Sequence, residues 1–314
     1  MPQPRSGDGR SGEGKPGDGR VTLTSYALLA VVWLAWGLSY PVMRIVLDHF
    51  DPWASRCVVM AAAGTSLLAI ARLSGHSLRV PRDHWFDLVV TAFINMSVFQ
   101  IGMTYGVLLL SPGRTALLIY TMPIWTAILA VLVLKDRPSP RHLAALGLGV
   151  LGIAVLMSQD LSQLADAPAG AALTLMAAVA FAVGTILLKR RIWRVDFGVL
   201  AGWQLLVGVI PLLIIWSMVD VSTDWRAIPL EGWLAVAFLA FISNAAAYLA
   251  WFRVVAALPA TVSGIGTLAV PVVGLGSSAA ILGEVVGPHE IAALLCIGSA
   301  LAITLLPKRR LKPR

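Results

Sequence analysis

The stretch WLAWGLSYPVMR, residues 33–44, ends an otherwise greasy run on an arginine. Trp33, Gly37, Tyr40 and Arg44 recur at spacings of three and four, so a helix carries them on one face with Trp36 close beside them. Indole and phenol rings offer rigid apolar surface with a polar edge, and a guanidinium grips a carboxylate with two parallel N–H donors. This is chemistry for holding a small solute that has an apolar part and hydrogen-bonding groups. A second arginine, Arg56, follows shortly after Pro52. Each arginine has three readings: it snorkels to lipid headgroups, pairs with acids such as Asp48 and Asp51, or receives the carboxylate of a solute.

Two more polar stripes run through apolar segments. Ser97, Gln100 and Thr104 share a helical face with Asn95 near it, and Asn244, Tyr248 and Trp251 share another at i, i+4 and i+7. Polar groups are tolerated in hydrocarbon mainly where they pair with one another or line a wet cavity. Hydrogen bonds between helices, worth about 1 to 2 kcal/mol or less each, could account for single members. For the two stripes together a cavity is the favoured reading. The candidate solute-binding residues are therefore Trp33, Trp36, Tyr40, Arg44, Arg56, Asn95, Gln100, Thr104, Asn244, Tyr248 and Trp251.

What is missing narrows the chemistry. No Asp, Glu or His stands in the middle of an apolar run, since all five histidines fall in or beside loops and Asp87, Glu231 and Glu284 lie near segment ends. An exporter that exchanges a proton for a cation usually needs a central carboxylate, so the sequence points to neutral or zwitterionic solutes. There is no HExxH, no GxSxG and no metal-spaced set of Cys and His, which argues against an enzyme and leaves no cofactor or metal to expect. Cys57 and Cys296 both sit in apolar runs and read as small buried side chains, with no disulfide implied.

The elements that must position these residues follow from composition. Of 314 residues 58% are hydrophobic and 13% charged, with a mean hydropathy of +0.82, so the lipid bilayer is the expected solvent. The net charge of +8 does not imply nucleic acid, because nine of the 24 lysines and arginines lie in the terminal tails and most others fall between hydrophobic runs. The Gly-rich segment 1–20 reads as a disordered cytoplasmic tail without signal-peptide features, and 307–314 as a basic cytoplasmic tail. Apolar runs of about 18 to 25 residues predict helices near 21–47, 52–71, 85–110, 114–134 and 140–157, then near 168–190, 197–218, 229–255, 260–282 and 288–306. Lys and Arg cluster in alternate loops (Arg72 to Arg82, Lys135 to Arg141, Lys189 to Arg194, Arg253), which places both termini in the cytoplasm.

A slide of 148 residues lays PIWTAILAVLVLKDRPSPRHLAALGLGVLGIAVL from 123 over PVVGLGSSAAILGEVVGPHEIAALLCIGSALAIT from 271 without a gap. Pro123 then meets Pro271, Asp136 meets Glu284, Pro140 meets Pro288 and Gln100 meets Tyr248; a slide of 147 puts Gly37 over Gly184 and Arg44 over Arg191. Five helices is an odd number, so two such units enter the membrane from opposite sides. The expected class is all-α and integral to the membrane, with ten transmembrane helices as two five-helix inverted-topology repeats, 21–157 and 168–306.

These features together, the WG…YP…R first helix, Arg56 after a proline in the second and PVVGLGSSAAILGE in the ninth, resemble the EamA family of the drug/metabolite transporter superfamily over roughly residues 24–306. Lys135-Asp136 departs from the Gly-Glu usual there, which Gly283-Glu284 keeps in the second repeat. The resemblance implies a carrier in the plasma (inner) membrane, commonly an exporter of amino acids, metabolites or drug-like compounds by alternating access. A membrane sensor or scaffold without transport is the alternative. The expected partners are a small-molecule solute and the bilayer, with the oligomeric state, monomer or homodimer, left open.

Overall fold

Backbone N–H and C=O groups in hydrocarbon find no water, so a chain this apolar must satisfy them within helices. A computed structural model of the protein describes residues 23–110, 115, 118–158, 167–219, 223–282 and 287–305, and among these there are helices and turns but no strand. The tails expected at 1–20 and 307–314 lie outside the described residues. In chain order the helices are α1 (Leu23–Gly37), α2 (Ser39–Leu47), α3 (Pro52–Leu73), α4 (Trp85–Ala92), α5 (Phe99–Leu109), α6 (Met122–Leu134) and α7 (Pro140–Met157). Then come α8 (Pro168–Arg190), α9 (Phe197–Met218), α10 (Leu230–Ala237), α11 (Ala247–Ala257), α12 (Ala260–Gly266), α13 (Ala269–Leu282) and α14 (Pro288–Leu305). Two π-helical stretches make continuous rods, Phe93–Val98 between α4 and α5 and Phe238–Ala246 between α10 and α11.

Local chemistry fixes the ends. Asp51 caps α3 by accepting from the N–H groups of Trp53 and Ala54, each at 2.9 Å, and Asp196 caps α9 through Gly198 at 2.8 Å and Val199 at 3.3 Å. Prolines 52, 140, 168 and 288 each open a helix, where their missing N–H removes nothing. Pro41 acts differently. Lacking an N–H, it cannot bond the carbonyl of Gly37, and the rod breaks between α1 and α2 at Leu38. The released Gly37 carbonyl faces Ser277 Oγ at 3.5 Å, and the missing Cβ of Gly37 leaves room for Val273.

Among the described residues six spans are long and apolar enough to cross a bilayer: Leu23–Leu47, Pro52–Leu73, Arg82–Gly106, Pro168–Arg190, Phe197–Met218 and Leu230–Ala257. The helices within 122–155, 260–274 and 291–305 are also apolar but shorter. Exposed side chains such as Leu34, Ile70, Leu132, Ile214 and Leu295 complete an apolar outer surface, so the chain is a multi-pass membrane protein.

Packing divides the rods into two groups and two flanking pairs. The α4–α5 rod and α6 pack on α8, while the α10–α11 rod and α13 pack on α1 and α2; α3 pairs with α9 and α7 with α14. The α3–α9 pair is antiparallel and rests on reciprocal glycines. A Cβ on Gly64 would lie 2.8 Å from Leu206 and 3.0 Å from the Gly202 carbonyl, and one on Gly202 would lie 2.8 Å from Leu68 and 3.1 Å from the Gly64 carbonyl.

At the end of the molecule that carries Arg72, Arg79, Arg82, Arg137 and Arg190, polar ties join the rods. Asp83 Oδ2 receives Arg194 Nη2 at 2.5 Å and Arg191 Nη2 at 3.4 Å, and Arg191 Nε reaches Asp87 at 3.2 Å. Lys189 Nζ, on α8, donates to the carbonyls of Ala256 at 3.1 Å and Leu258 at 2.7 Å at the end of α11. Thr261 Oγ1 on α12 donates to Asp136 Oδ2 at 3.2 Å. The Lys189 contacts join one group of rods to the other.

Gly64→Ala should lower the thermal unfolding temperature in detergent, by overpacking worth about 1 to 3 kcal/mol. Gly147→Ala, where a Cβ meets nothing within 4 Å, should leave it unchanged or raise it. Equal effects at both positions would contradict the reciprocal glycine contact.

Candidate functional site

Where the two groups of rods face each other they enclose a cavity of about 90 Å³. Helices α1 and α2 supply Trp36, Ser39 and Met43, and α3 supplies Ser55, Arg56 and Val59. From α5 come Phe99, Gln100 and Met103, and from α8 Phe181. The second π stretch supplies Ser243 and Asn244, and α11 Tyr248.

The π geometry explains how this wall is assembled. At the end of the second π stretch the N–H of Ala247 bonds the carbonyls of Asn244 and Ile242, which leaves the Ser243 carbonyl open to a partner from another helix. Trp36 Nε1 donates to it at 3.0 Å, fixing the indole and fastening α1 to the stretch. Asn244 Nδ2 donates to the Leu239 carbonyl at 2.8 Å, five residues back.

Towards the basic end, aromatic rings of the cavity wall, with Trp251 behind them, form its floor. Trp36 lies edge-on to Phe181 at 5.9 Å and to Tyr248 at 5.7 Å, and 5.8 Å from Trp251. Phe181 in turn contacts Trp251 at 5.6 Å and Phe99 at 5.3 Å. These rings come from both groups of rods, so the floor is a joint structure. Such ring pairs add about 0.5 to 1.5 kcal/mol each beyond their buried area.

The eleven residues singled out from sequence separate into distinct places. Trp36, Arg56, Gln100, Asn244 and Tyr248 line the cavity. Trp251 lies in the floor, fully buried, with Nε1 unpartnered. Trp33 Nε1 is bound to the Gly266 carbonyl at 2.8 Å. Thr104 Oγ1 turns back on its own helix to the Gln100 carbonyl at 2.7 Å. Asn95 is buried against Gly184 of α8, with both amide atoms unpartnered. Arg44 is 65% exposed and pairs with Asp48 at 3.5 Å. Residue 40 belongs to α2, but the side chain of Tyr40 lies outside the described residues.

Ser97 leaves the expected stripe with Gln100 and Thr104 because the π stretch that carries it changes the angle between successive residues. Ser97 Oγ bonds the Gly208 carbonyl of α9 at 2.8 Å instead of facing the cavity. Sequence reasoning missed Phe99, Met103, Met122 and Phe181, all of which line the wall. In segments apolar all round, nothing in residue type separates a cavity face from a lipid face.

Comparison with known proteins places this geometry in context. The model of the EamA-like transporter family matches twice, to residues 23–158 and 168–306. A probable amino-acid metabolite efflux pump of Salmonella typhimurium is 25% identical, over 88% of this chain and 92% of its own length. The uncharacterized transporter YvbV of Bacillus subtilis is 25% identical over 88% and 90%, and the uncharacterized inner membrane transporter YedA of Escherichia coli 28% identical over 75% and 76%. A solved crystal structure, 19% identical, shares the fold at a TM-score of 0.77 over 92% of this chain and 99% of its own.

Trp36→Phe keeps the ring but removes the donor to Ser243, leaving a buried carbonyl unpaired at a cost of about 1 to 3 kcal/mol. The thermal unfolding temperature in detergent should fall accordingly. No change would mean that the indole N–H does not hold α1 to the π stretch.

Proposed function

The chain belongs to the EamA-like transporter family, and from that premise we propose that it exports a small neutral or zwitterionic metabolite, an amino acid or drug-like compound, by alternating access. The observation that carries this reading is the cavity. Among the described residues it combines one guanidinium, that of Arg56, with amide groups and aromatic rings, and its lining contains no Asp or Glu. Such a wall suits a solute with a carboxylate and an apolar body, and disfavours a bare cation. The printed name of the Salmonella relative, an amino-acid metabolite efflux pump, agrees with this solute class. A sensor or scaffold would give no reason for a cavity between two groups of rods.

The reading includes ten transmembrane helices in two inverted five-helix units. Support comes from the double match of the family model, the antiparallel α3–α9 pair, the Asp caps on those two helices and the π stretches in the third and eighth rods. Packing adds to it: α1 lies on α11 and α13 as α8 lies on α5 and α6. An odd-numbered unit that inverts lets one site be exposed to either face in turn. The basic end is read as cytoplasmic by the charge bias, in the plasma (inner) membrane, with both termini on that side. The ties of Lys189 and Thr261 and the aromatic floor lie towards the basic end, so this conformation is read as closed to the cytoplasm.

Flux through proteoliposomes tests the reading. With a panel of amino acids, Arg56→Ala should reduce transport of a carboxylate-bearing solute about tenfold or more, with Arg56→Lys intermediate because it keeps charge but loses the planar fork. Arg44→Ala should stay within about twofold, since a solvated ion pair contributes little. Undiminished flux in Arg56→Ala would remove the carboxylate site.

Orientation has its own check. In a background with Cys57 and Cys296 replaced, a cysteine at Arg226 should react with an impermeant thiol reagent added outside intact cells, and one at Ser139 should not. The reverse labelling would invert the topology.

A further inference from the structure

We propose that Gln100, together with the aromatic residues that share its cavity wall, forms a subsite for the amino group of the solute, distinct from the arginine that takes its carboxylate. This rests on the transport reading above and adds which pole of the solute goes where.

Gln100 is 4% exposed and belongs to the cavity wall, and its buried Oε1 has no hydrogen-bond partner among the described residues. A buried amide acceptor without a partner is a deficit that a ligand donor can fill. Of the other amide on the wall, Asn244, the NH₂ group is already committed to the Leu239 carbonyl, and the indole N–H of Trp36 to Ser243. The wall around Gln100 is aromatic. Phe99 precedes it on α5 and contacts Phe181 at 5.3 Å, and Phe181 contacts Trp36 at 5.9 Å.

An ammonium can be held by a neutral oxygen together with ring faces, whose negative quadrupole attracts cations in a desolvated site. Among the described residues no acid lines the cavity, and Arg56 contributes a guanidinium to its wall. The order of preference follows. A zwitterion satisfies both poles, an acid without the amine leaves Gln100 unfilled, and an amine without the carboxylate makes no contact with Arg56 and gains least. Discrimination by an unfilled polar group is stronger than discrimination by size alone.

The test uses three isosteric probes on the full-length protein in proteoliposomes: leucine, 4-methylpentanoate, which lacks the amine, and 3-methylbutylamine, which lacks the carboxylate. Wild type should bind and transport leucine about tenfold or more better than 4-methylpentanoate, and the amine least. Gln100→Leu should weaken leucine by about that factor and leave 4-methylpentanoate within about twofold, so unchanged handling of the acid also reports an intact fold. Gln100→Glu should restore leucine and raise 3-methylbutylamine, because it places an anion where the amide oxygen was.

Equal losses for leucine and 4-methylpentanoate in Gln100→Leu, or no loss for either, would overturn the amine subsite. If wild type handles leucine and 4-methylpentanoate equally, the amine subsite falls while the transport reading stands. If none of the three probes binds or moves, both fall.

Discussion

Every backbone polar group within the bilayer must find its partner inside the protein, and the rest of this structure depends on that constraint. It explains why the described chain is helical, and it also marks where departures from regular helix can occur. Both π stretches and the break before Pro41 sit at contacts between rods, where a neighbouring helix can supply the missing bond. Trp36 serves the Ser243 carbonyl and Ser277 approaches the Gly37 carbonyl. Irregularity is therefore confined to places where another rod is close, and one of those places is the cavity.

Much of this was legible in the sequence because it follows from averages over many residues. Some helix limits predicted from breakers agree closely with those observed, as for α3, expected at 52–71 and found at Pro52–Leu73, and for α8, expected at 168–190 and found there, whereas the helix expected at 260–282 is broken into α12 and α13 and the one expected at 114–134 is found as Met122–Leu134. Five of the candidate residues do line the cavity, since polar side chains in an apolar run have few places to go. The failures are local. A 3.6-residue period projected Ser97 and Thr104 onto the face of Gln100, and a π stretch, which no composition signal announces, turned Ser97 to α9. Arg44 shares a projected face with Trp33, yet the break at Leu38 separates the helices that carry them, and its guanidinium lies with Asp48 in an exposed position.

Polarity is distributed unevenly along the long axis of the molecule. The basic end is held by charged and carbonyl contacts, from Asp83 with its two arginines to Lys189 on the end of α11, whereas the cavity region is held by rings and close glycine contacts. Contacts between solvated charges are individually weak and reversible, while interdigitated glycine contacts tolerate almost no displacement. The flanking pair α3–α9 thus has the character of a fixed frame, and the surface ties have the character of contacts that can be made and broken.

The way Trp36 is held has a consequence for how such a protein could diversify. The bonds that fasten the rods together run through glycines, caps and the indole of Trp36, whereas the wall residues Met43, Val59, Met103 and Met122 contribute only shape. Methionine adapts its three torsions to whatever lies beside it, and exchanging it for another side chain of similar volume costs little stability. Mutational drift could therefore remodel the chamber without loosening the scaffold, and inheritance of the architecture need not bring inheritance of the cargo.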